Sequence, residues 1–145
     1  MSSFTKQISL RWSDMDPNFH MRHSVYYDLG SQQRIEILSA HGLTLQVMQE
    51  QGFGPVLFRE ECIFKREIRL SDQITITATL QKMRADGSRW SIQHEFRNQK
   101  DEVCALLNLD GAWMDTRLRR LANPTPQIAL EVFQQFPKTA DFEQG

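Results

Sequence analysis

The residue types best suited to chemistry lie in one segment, residues 14–23, directly before a stretch with helical periodicity. The segment contains two carboxylates and two imidazoles, from Asp14, Asp16, His20 and His23. Free backbone N–H groups in the first turn of a helix can stabilise an oxygen on which negative charge develops. A carboxylate beside them can attack a carbonyl carbon or activate a water. The pattern therefore allows acyl chemistry, and the alternative is that both aspartates only form turns.

A predicted strand leads into this segment. Ile8, Leu10 and Trp12 alternate with polar residues, which indicates a first strand ending at Ser13–Asp14. Pro17 removes a backbone donor and restricts the residue before it, so the segment itself is predicted to be a loop.

A long helix is predicted after the loop, from about Ser24 to His41, with Gly42 as its stop. Its apolar face includes two polar residues, Gln33 and Glu36. Both are expected to be buried, and buried polar groups need hydrogen-bonding partners.

From Gly54 onward the alternation of apolar residues predicts four antiparallel strands, with turns at 85–88 and 98–101. The residues expected to share a strand face are Val56, Phe58, Cys62 and Phe64; Ile74, Ile76, Ala78 and Leu80; Trp90, Ile92, His94 and Phe96; and Val103, Ala105, Leu107, Leu109 and Trp113. Glu60 alternates with the first set, which allows its carboxylate to face inward as a second catalytic candidate; the alternatives are an ion pair with Arg34 or exposure caused by a bulge. His94 is expected to be a core histidine.

A short tail helix is predicted over about 126–136, with Thr125 as its N-cap and Pro126 in its first turn. This order of elements predicts an α+β fold in which one long helix lies on a curved five-stranded antiparallel sheet. We expect a single domain over 1–145, with its core at about 5–115. The incompletely covered sheet favours self-association as a homodimer or a dimer of dimers.

Composition limits the function classes. The formal net charge is −1, so no overall positive field favours nucleic acid or an anionic membrane. The two cysteines, Cys62 and Cys104, lie far apart in sequence with no second ligand pair nearby, which excludes a disulfide framework or a zinc knuckle. We expect both to be small buried groups in a reduced, cytoplasmic protein. The sequence has no signal-peptide pattern or membrane-length apolar run.

The segment Arg11-Trp12-Ser13-Asp14-Met15-Asp16, followed by His20, His23, Tyr26 and Arg34-Ile35-Glu36, resembles the hot-dog-fold acyl-CoA thioesterases of the 4-hydroxybenzoyl-CoA thioesterase type. Their pattern is an aromatic residue, an acidic turn, an Asp, a seven-residue loop ending in His or Asn, and a Tyr three positions later. The resemblance implies a hot-dog fold and hydrolysis of a small or medium acyl thioester, with coenzyme A as part of the substrate and no cofactor or metal.

The resemblance also implies roles for individual residues. Asp16 matches the carboxylate that acts as nucleophile or general base, and His23 matches the position whose backbone N–H polarises the thioester carbonyl. Tyr26, which we expect to line the substrate pocket, matches a helix tyrosine suited to packing more than to chemistry. His20, a third catalytic candidate, matches a histidine found in one branch of the family. The chain departs from the family pattern at two positions: Phe19 replaces a common glycine, which would reshape the acyl pocket, and Ser31 replaces a common acidic residue.

Two basic clusters could contact the coenzyme A nucleotide. Lys82, Arg84 and Arg89 flank the 85–88 turn and are favoured because the family often places the nucleotide near that hairpin. The second cluster consists of Arg117, Arg119 and Arg120. Both clusters could instead be solvated edges of the sheet.

Two other functions remain open from the sequence. An enoyl-thioester hydratase or dehydratase would use an Asp–His pair before the helix, which Asp14 and His20 resemble, although their spacing is one residue too long. A non-catalytic module that binds acyl thioesters is the third possibility.

Overall fold

A long helix lies on a curved, seven-stranded sheet in the computed structural model, which describes residues 2–145. The strands are β1 (Thr5–Ser9), β2 (Phe53–Phe64), β3 (Gln73–Met83), β4 (Arg89–Arg97), β5 (Val103–Asp115), β6 (Arg120–Leu121) and β7 (Lys138–Gln144). The helices are α1 (His23–Ala40), α2 (Leu45–Gln51) and α3 (Gln127–Gln134). The main strand order is β1-β3-β4-β5-β2, and these neighbours are all antiparallel. The predicted α+β hot-dog architecture is confirmed.

The central helix packs closely on the middle of the sheet. Its buried residues are Val25, Tyr26, Gly30, Gln33, Ile37 and Leu38. A side chain at Gly30 would collide with Leu107 of β5, so a glycine is needed where helix and sheet approach. The helix ends beside Gly42, whose φ of 89° is the left-handed conformation expected of a glycine stop.

The first strand is shorter than predicted. β1 ends at Ser9, and Trp12 begins a single 3₁₀ turn in which its side chain is 72% exposed. The Asp14 carboxylate causes the turn, because it accepts hydrogen bonds from both the backbone and the guanidinium of Arg11. Alternation alone cannot distinguish such a side-chain-stabilised turn from the end of a strand.

The predicted common face of β2 is wrong because a β-bulge interrupts the strand. The register with β5 shifts between Leu57 and Arg59, so alternation changes phase at Phe58. Glu60, Cys62 and Phe64 pair with core residues of β5 and lie on the helix side as predicted, although Phe64, which packs on Tyr26, stays half exposed. Phe58 is exposed on the opposite face.

The strands β3, β4 and β5 follow their predicted alternation, and every named apolar position of β3 and β4 is buried. Both predicted turns occur, with left-handed residues at Gly87 and Asp101. The prediction for the helix face is half right: Gln33 is buried, whereas Glu36 is exposed and paired with Lys6 at 2.8 Å.

Near the C-terminus the structure corrects one cap and adds elements that were not predicted. Pro126 is the N-cap of α3, and the buried Thr125 hydroxyl has no hydrogen-bonding partner within residues 2–145. The polar strand β7 pairs in parallel with β3, and β6 pairs with β5, which raises the predicted five strands to seven. The short helix α2 is capped by Thr44 and Gly52, a signal that the sequence contains.

One edge of the sheet is long and unpaired. β2 is the terminal strand of the main order, and its Phe53–Phe64 span pairs on one side only, with β5. Several large apolar side chains along it are exposed: Leu57, Phe58, Ile63 and Phe64. No helix within residues 2–145 is both long and apolar enough to cross a membrane.

Candidate active site at the start of the central helix

The loop before α1 closes on itself through short hydrogen bonds. The N–H of Asp16 donates to the carbonyl of His20 at 2.8 Å, and the N–H of Phe19 donates back to the carbonyl of Asp16 at 3.0 Å. Met15 and Met21 form an isolated antiparallel bridge across the base of the loop. The loop therefore projects from a paired base, and Asp16 lies at a fixed point next to α1.

The carboxylate of Asp16 is oriented by its own loop. One oxygen, Oδ1, accepts hydrogen bonds from the N–H groups of Asn18 at 2.9 Å and His20 at 3.3 Å. No ion pair involves Asp16 within residues 2–145. The carboxylate is part-exposed and lines an open cleft of about 370 Å³. The cleft is lined by Asp16, His20, Met21, His23, Tyr26, Phe64, Lys65, Arg66 and Glu67.

The first turn of α1 offers free donors in the same cleft. The N-cap residue Arg22 makes no side-chain capping hydrogen bond. Among residues 2–145, the backbone N–H groups of His23 and Ser24 have no hydrogen-bond acceptor, whereas the N–H of Val25 donates to the carbonyl of Arg22 at 3.1 Å. An 18-residue helix directs the positive end of its dipole at this point. The sequence prediction of a carboxylate beside a helix N-terminus agrees with this geometry.

His20 and Tyr26 complete the cleft walls. His20 Nε2 lies 3.0 Å from a carboxylate oxygen of Glu67, so its imidazole faces across the cleft mouth. Tyr26 is buried and packs edge-on against Phe64 and Phe96, with ring centroids 5.0 and 5.3 Å away. Burial raises the pKa of Tyr26, so its hydroxyl stays neutral and its position fits packing.

The pair required for a hydratase is not assembled. Asp14 is buried and its carboxylate lies 2.9 Å from the Arg11 guanidinium, whose hydrogen bond holds the pKa of Asp14 below its usual value. His20 is engaged with Glu67 instead. Asp14 therefore has a structural partner, and it does not line the cleft that contains Asp16.

Glu60 belongs to a separate polar network under the helix. Its carboxylate is 3.6 Å from Arg34, and Arg34 donates to His94 Nε2 at 3.0 Å. His94 Nδ1 then donates to the Gln33 side-chain carbonyl at 2.8 Å. Gln33 in turn donates to the carbonyls of Ile76 and Phe4, so every polar group of this buried network has a partner.

This network explains why His94 is a core residue. Its Nε2 accepts from a guanidinium, which requires the neutral ring with the proton on Nδ1. Burial and the nearby Arg34 charge lower the pKa of His94 to about 3. Glu60 does not line the Asp16 cleft and is committed to Arg34.

Neither cysteine resembles a nucleophile. Burial raises the pKa of the Cys62 thiol to about 11 and raises the pKa of Cys104 as well. Both thiols are free and protonated near neutral pH. No group of three or more metal-ligating side chains is found in the part of the chain that the structure describes.

Phe19 lies at the apex of the loop, outside the cleft lining. Its φ is 65°, the left-handed region, and its side chain is 71% exposed. This conformation explains the glycine that the resembling family commonly has there. Ser31 is also outside the cleft, on the exposed side of α1.

The three basic residues around the 85–88 turn converge on one groove. The groove has a volume of about 380 Å³ and is lined by Lys82, Arg84 and Arg89 together with Phe58. The Arg89 guanidinium lies over the Phe58 ring, 5.0 Å from its centroid. Of the other cluster, Arg117 donates to the carbonyl of Glu50 at 3.0 Å and is structural. The bulge in β2 positions Phe58 in this groove.

Sequence reasoning missed one wall of the cleft, which consists of Phe64 and residues 65–67. These residues follow the C-terminal end of β2, and the backbone N–H groups of Lys65 and Arg66 donate to Cys104. The sequence signal for this wall was the basic pair Lys65–Arg66 directly after a predicted strand. Only the folded sheet shows which loop this pair faces.

The fold and the cleft together define a hot-dog protein with a carboxylate beside a helix N-terminus. A sequence profile of the thioesterase-like superfamily matches residues 10–136, so the chain belongs to that superfamily. It is accordingly a thioester hydrolase. No curated protein sequence matches the chain significantly.

Solved structures with the same fold share little sequence with this chain. A hypothetical protein from Staphylococcus aureus in complex with CoA superimposes with a TM-score of 0.83 at 17% identity, covering 97% of this chain and 89% of that one. A 1,4-dihydroxy-2-naphthoyl-CoA thioesterase from Synechocystis superimposes with a TM-score of 0.80 at 18% identity, covering 91% of this chain and 96% of that one. A DHNA-CoA thioesterase from Staphylococcus aureus superimposes with a TM-score of 0.72 at 16% identity, covering 81% of this chain and 78% of that one.

Proposed function

We propose that the protein hydrolyses a small or medium acyl-CoA thioester in the cleft at the start of α1, with Asp16 as the catalytic carboxylate. The observation that carries this proposal is the presence of Asp16 and the uncapped first turn of α1 in one cleft. Asp16 has its Oδ1 held by two backbone N–H groups, which leaves the other oxygen available to substrate.

The backbone N–H of His23 polarises the thioester carbonyl. As Asp16 attacks the carbonyl carbon, or removes a proton from an attacking water, negative charge collects on the carbonyl oxygen. The free N–H and the helix dipole stabilise that charge. The C–S bond then breaks and coenzyme A leaves as a thiolate, which takes up a proton. In the general-base route the attacking water has already formed the acid, whereas in the nucleophilic route a water then hydrolyses the acyl–Asp16 anhydride, which releases the acid and restores the carboxylate. His20, paired with Glu67 at the mouth, contacts the substrate beyond the reacting atoms.

The groove of Lys82, Arg84 and Arg89 receives the phosphates of coenzyme A. Three cations next to an exposed aromatic ring suit phosphate groups beside an adenine. The neighbouring Staphylococcus aureus structure was solved in complex with CoA, which supports a nucleotide ligand for this fold.

The active form is a homodimer paired through β2. A twelve-residue edge with unpaired backbone groups and exposed apolar side chains is a template for pairing with a second copy. Phe64 and Glu67, at the end of this edge, also line the Asp16 cleft, so the partner subunit would border the cleft. A dimer of dimers would build on the same contact.

The decisive experiment measures release of free thiol from acetyl-, hexanoyl- and benzoyl-CoA by the native chain and by Asp16→Asn. We expect turnover of at least one substrate, and a loss of about 10²- to 10⁴-fold in kcat for the variant, the usual contribution of a positioned carboxylate. The matched control is Asp28→Asn, an exposed carboxylate on α1, which should retain native turnover.

Two results would contradict the proposal. Unchanged turnover in Asp16→Asn would remove Asp16 from the mechanism. No thiol release from any of the three substrates, with enoyl-CoA hydration instead, would replace hydrolysis by the hydratase reaction.

A further inference from the structure

The unpaired edge of β2 carries a pattern that specifies how a second copy of the chain pairs with it. Arg59, Glu60 and Glu61 carry the charges of this edge, and large apolar side chains are exposed on either side of them. Directly opposite residues in an antiparallel pair share one face of the sheet. The two faces of β2 therefore limit the registers that two copies can adopt.

The bulge divides β2 into two segments whose alternation is out of phase. Phe58 is the extra residue, because Leu57 and Arg59 pair with consecutive residues of β5. Phe58 and Arg59 therefore share the outer face, away from α1, and together occupy one position along the edge. The helix side of the edge consists of Pro55, Leu57, Glu60, Cys62 and Phe64, and the outer face consists of Val56, Phe58, Arg59, Glu61 and Ile63.

A two-fold axis through Glu60 brings opposite charges together on the outer face. Glu61 then lies opposite the partner's Arg59, and the symmetry of the pair makes this contact twice. Arg59 also holds Glu61 of its own chain at 3.0 Å and Asp110 at 2.7 Å, so positive and negative groups alternate across the interface. On the helix side the two Glu60 carboxylates meet, each with Arg34 at 3.6 Å, so two ion pairs rather than two bare charges face each other.

The same axis covers the exposed apolar side chains of the edge. Moving outward from the axis, the opposed pairs are Cys62 with Leu57 of the partner subunit, Ile63 with Val56 of the partner subunit, and Phe64 with Pro55 of the partner subunit. Both residues of each pair are apolar and lie on the same face of the sheet. Pairing in this register therefore removes Leu57, Ile63 and Phe64 from water, although all three are exposed in the single chain.

The neighbouring axes lose the contact between Arg59 and Glu61. An axis through the bulge faces Arg59 with Arg59 of the partner subunit, and an axis through Glu61 faces Glu61 with the partner's Glu61. An axis through Cys62 places Arg59 opposite the partner's Lys65. An axis between two residues opposes the helix side of one copy to the outer face of the other, which a continuous sheet does not allow.

We propose that two copies pair through β2 in the register that has its two-fold axis at Glu60, and that Pro55 of the partner subunit completes the rim of the Asp16 cleft. Phe64 lines that cleft, and the partner's Pro55 is its neighbour across the interface. The proposal rests on the β2 dimer proposed above and adds which residues of the two copies meet.

Disulfide trapping tests the register. In Leu57→Cys the new thiol lies opposite Cys62 of the partner subunit, close enough to form a disulfide. We expect oxidation by copper–phenanthroline to give a covalent dimer, joined between positions 57 and 62 in the mass spectrum of its peptides. The matched control is Ile63→Cys, because Ile63 is 43% and Leu57 38% exposed but the residue opposite Ile63 has no thiol. This control should stay uncrosslinked.

Charge reversals test the ion pairs. Arg59→Glu opposes two glutamates and Glu61→Arg opposes two arginines, so each variant alone should dimerise about tenfold more weakly than the native chain, or weaker still. In an equimolar mixture every opposed pair is complementary, so a heterodimer should form more tightly than either homodimer. Sedimentation velocity measures the association, and circular dichroism checks that both variants fold.

The outcomes separate this proposal from the proposed function. A native dimer in which Leu57→Cys does not crosslink to Cys62, or a mixture of the two charge variants that forms no heterodimer, would overturn the register alone. A monomeric native chain would overturn the dimer and the register together. Thiol release by the native chain and by Asp16→Asn is measured separately, so a failure of the hydrolytic mechanism leaves the register standing.

Discussion

At the scale of single residues, the proposed chemistry depends on a backbone atom as much as on a side chain. His23 is exposed, and its part in the proposal is its N–H group at the first position of α1. The local backbone allows this N–H group to be removed, by substitution with proline, without disrupting the helix. The preceding residue Arg22 has ψ of 148°, the extended conformation that a following proline requires.

We therefore predict different outcomes for His23→Ala and His23→Pro. The alanine retains the N–H, so kcat should stay within a few-fold of native. Proline is well tolerated at the first helical position but has no N–H, so kcat should fall by about 10²- to 10³-fold, the usual loss for one oxyanion donor. Steady-state thiol release measures both, and circular dichroism checks that the helix persists. Equal losses in the two variants would assign the role to the imidazole instead.

Phe19 shows a local cost at the same loop. A phenylalanine with φ of 65° is strained, because its Cβ crowds the backbone. Phe19→Gly should raise the free energy of unfolding by about 0.5–1 kcal/mol, the relief of strain less the added chain entropy. Urea denaturation measures the difference.

The control for this prediction is Phe58→Gly, another exposed phenylalanine, whose φ is not positive. It should destabilise the protein because glycine only adds chain entropy there and the contact with Arg89 is lost. Destabilisation by Phe19→Gly would mean that the exposed ring makes a stabilising contact that outweighs its strain.

At the scale of elements, α1 is joined to the sheet by a polar network within an apolar interface. His94 of β4 bridges Gln33 and Arg34 of α1, and each of its nitrogens has one partner. The folded protein requires the neutral imidazole, because the ring is buried and protonation would also place a second positive charge beside Arg34. The attachment of helix to sheet is therefore sensitive to acid.

We predict a loss of stability between pH 6.5 and pH 3 from His94 alone. Its pKa is about 3 in the folded protein and about 6.5 when unfolded, so the unfolded chain binds the proton first as the pH falls. His94 therefore contributes at most about 1.4 kcal/mol per pH unit to the slope of the free energy of unfolding against pH. Urea denaturation at pH 7, 6 and 5 measures this slope.

His94→Asn provides the comparison, because the remaining histidines and carboxylates are the same in both proteins. The variant should be less stable at pH 7 but should show a shallower dependence on pH. Parallel profiles for the two proteins would show that His94 accepts its proton in the folded state.

At the scale of the whole molecule, the long edge of β2 favours association. Edge strands that remain monomeric usually carry charges or are covered. This edge has arginine and glutamate residues near its middle but large exposed apolar residues on either side of them. Pairing with a second copy would satisfy its backbone groups and cover those side chains.

We predict that Ile63→Lys converts a native dimer into a monomer, because a lysine on the edge must be desolvated when a second strand pairs with it. The matched control is Leu70→Lys: both side chains are 43% exposed, but Leu70 lies in the loop after β2. Sedimentation velocity distinguishes the two masses. A monomeric native chain, or a dimeric Ile63→Lys, would contradict pairing through β2.

The sequence determined the features that depend on neighbours along the chain. The spacing from Asp16 to His23 fixes how a loop meets the first turn of α1, and the alternation in β3 and β4 marks the buried face. Both are local properties, set by hydrogen-bond geometry and by the period of each element. Family resemblance added the hot-dog fold, which the structure confirmed, and roles for these positions, which stay predictions.

Only the tertiary structure decided which distant residues meet. The bulge at Phe58 depends on pairing with β5, and it alone separates the faces of Phe58 and Glu60. The wall of the Asp16 cleft formed by Phe64 and residues 65–67 is likewise far in sequence from the loop that it faces. Such contacts depend on how strand twist and side-chain volumes fit together across the whole core. A sequence pattern with a period of two or 3.6 residues carries no information about that fit, because it reports only which face of one element is buried.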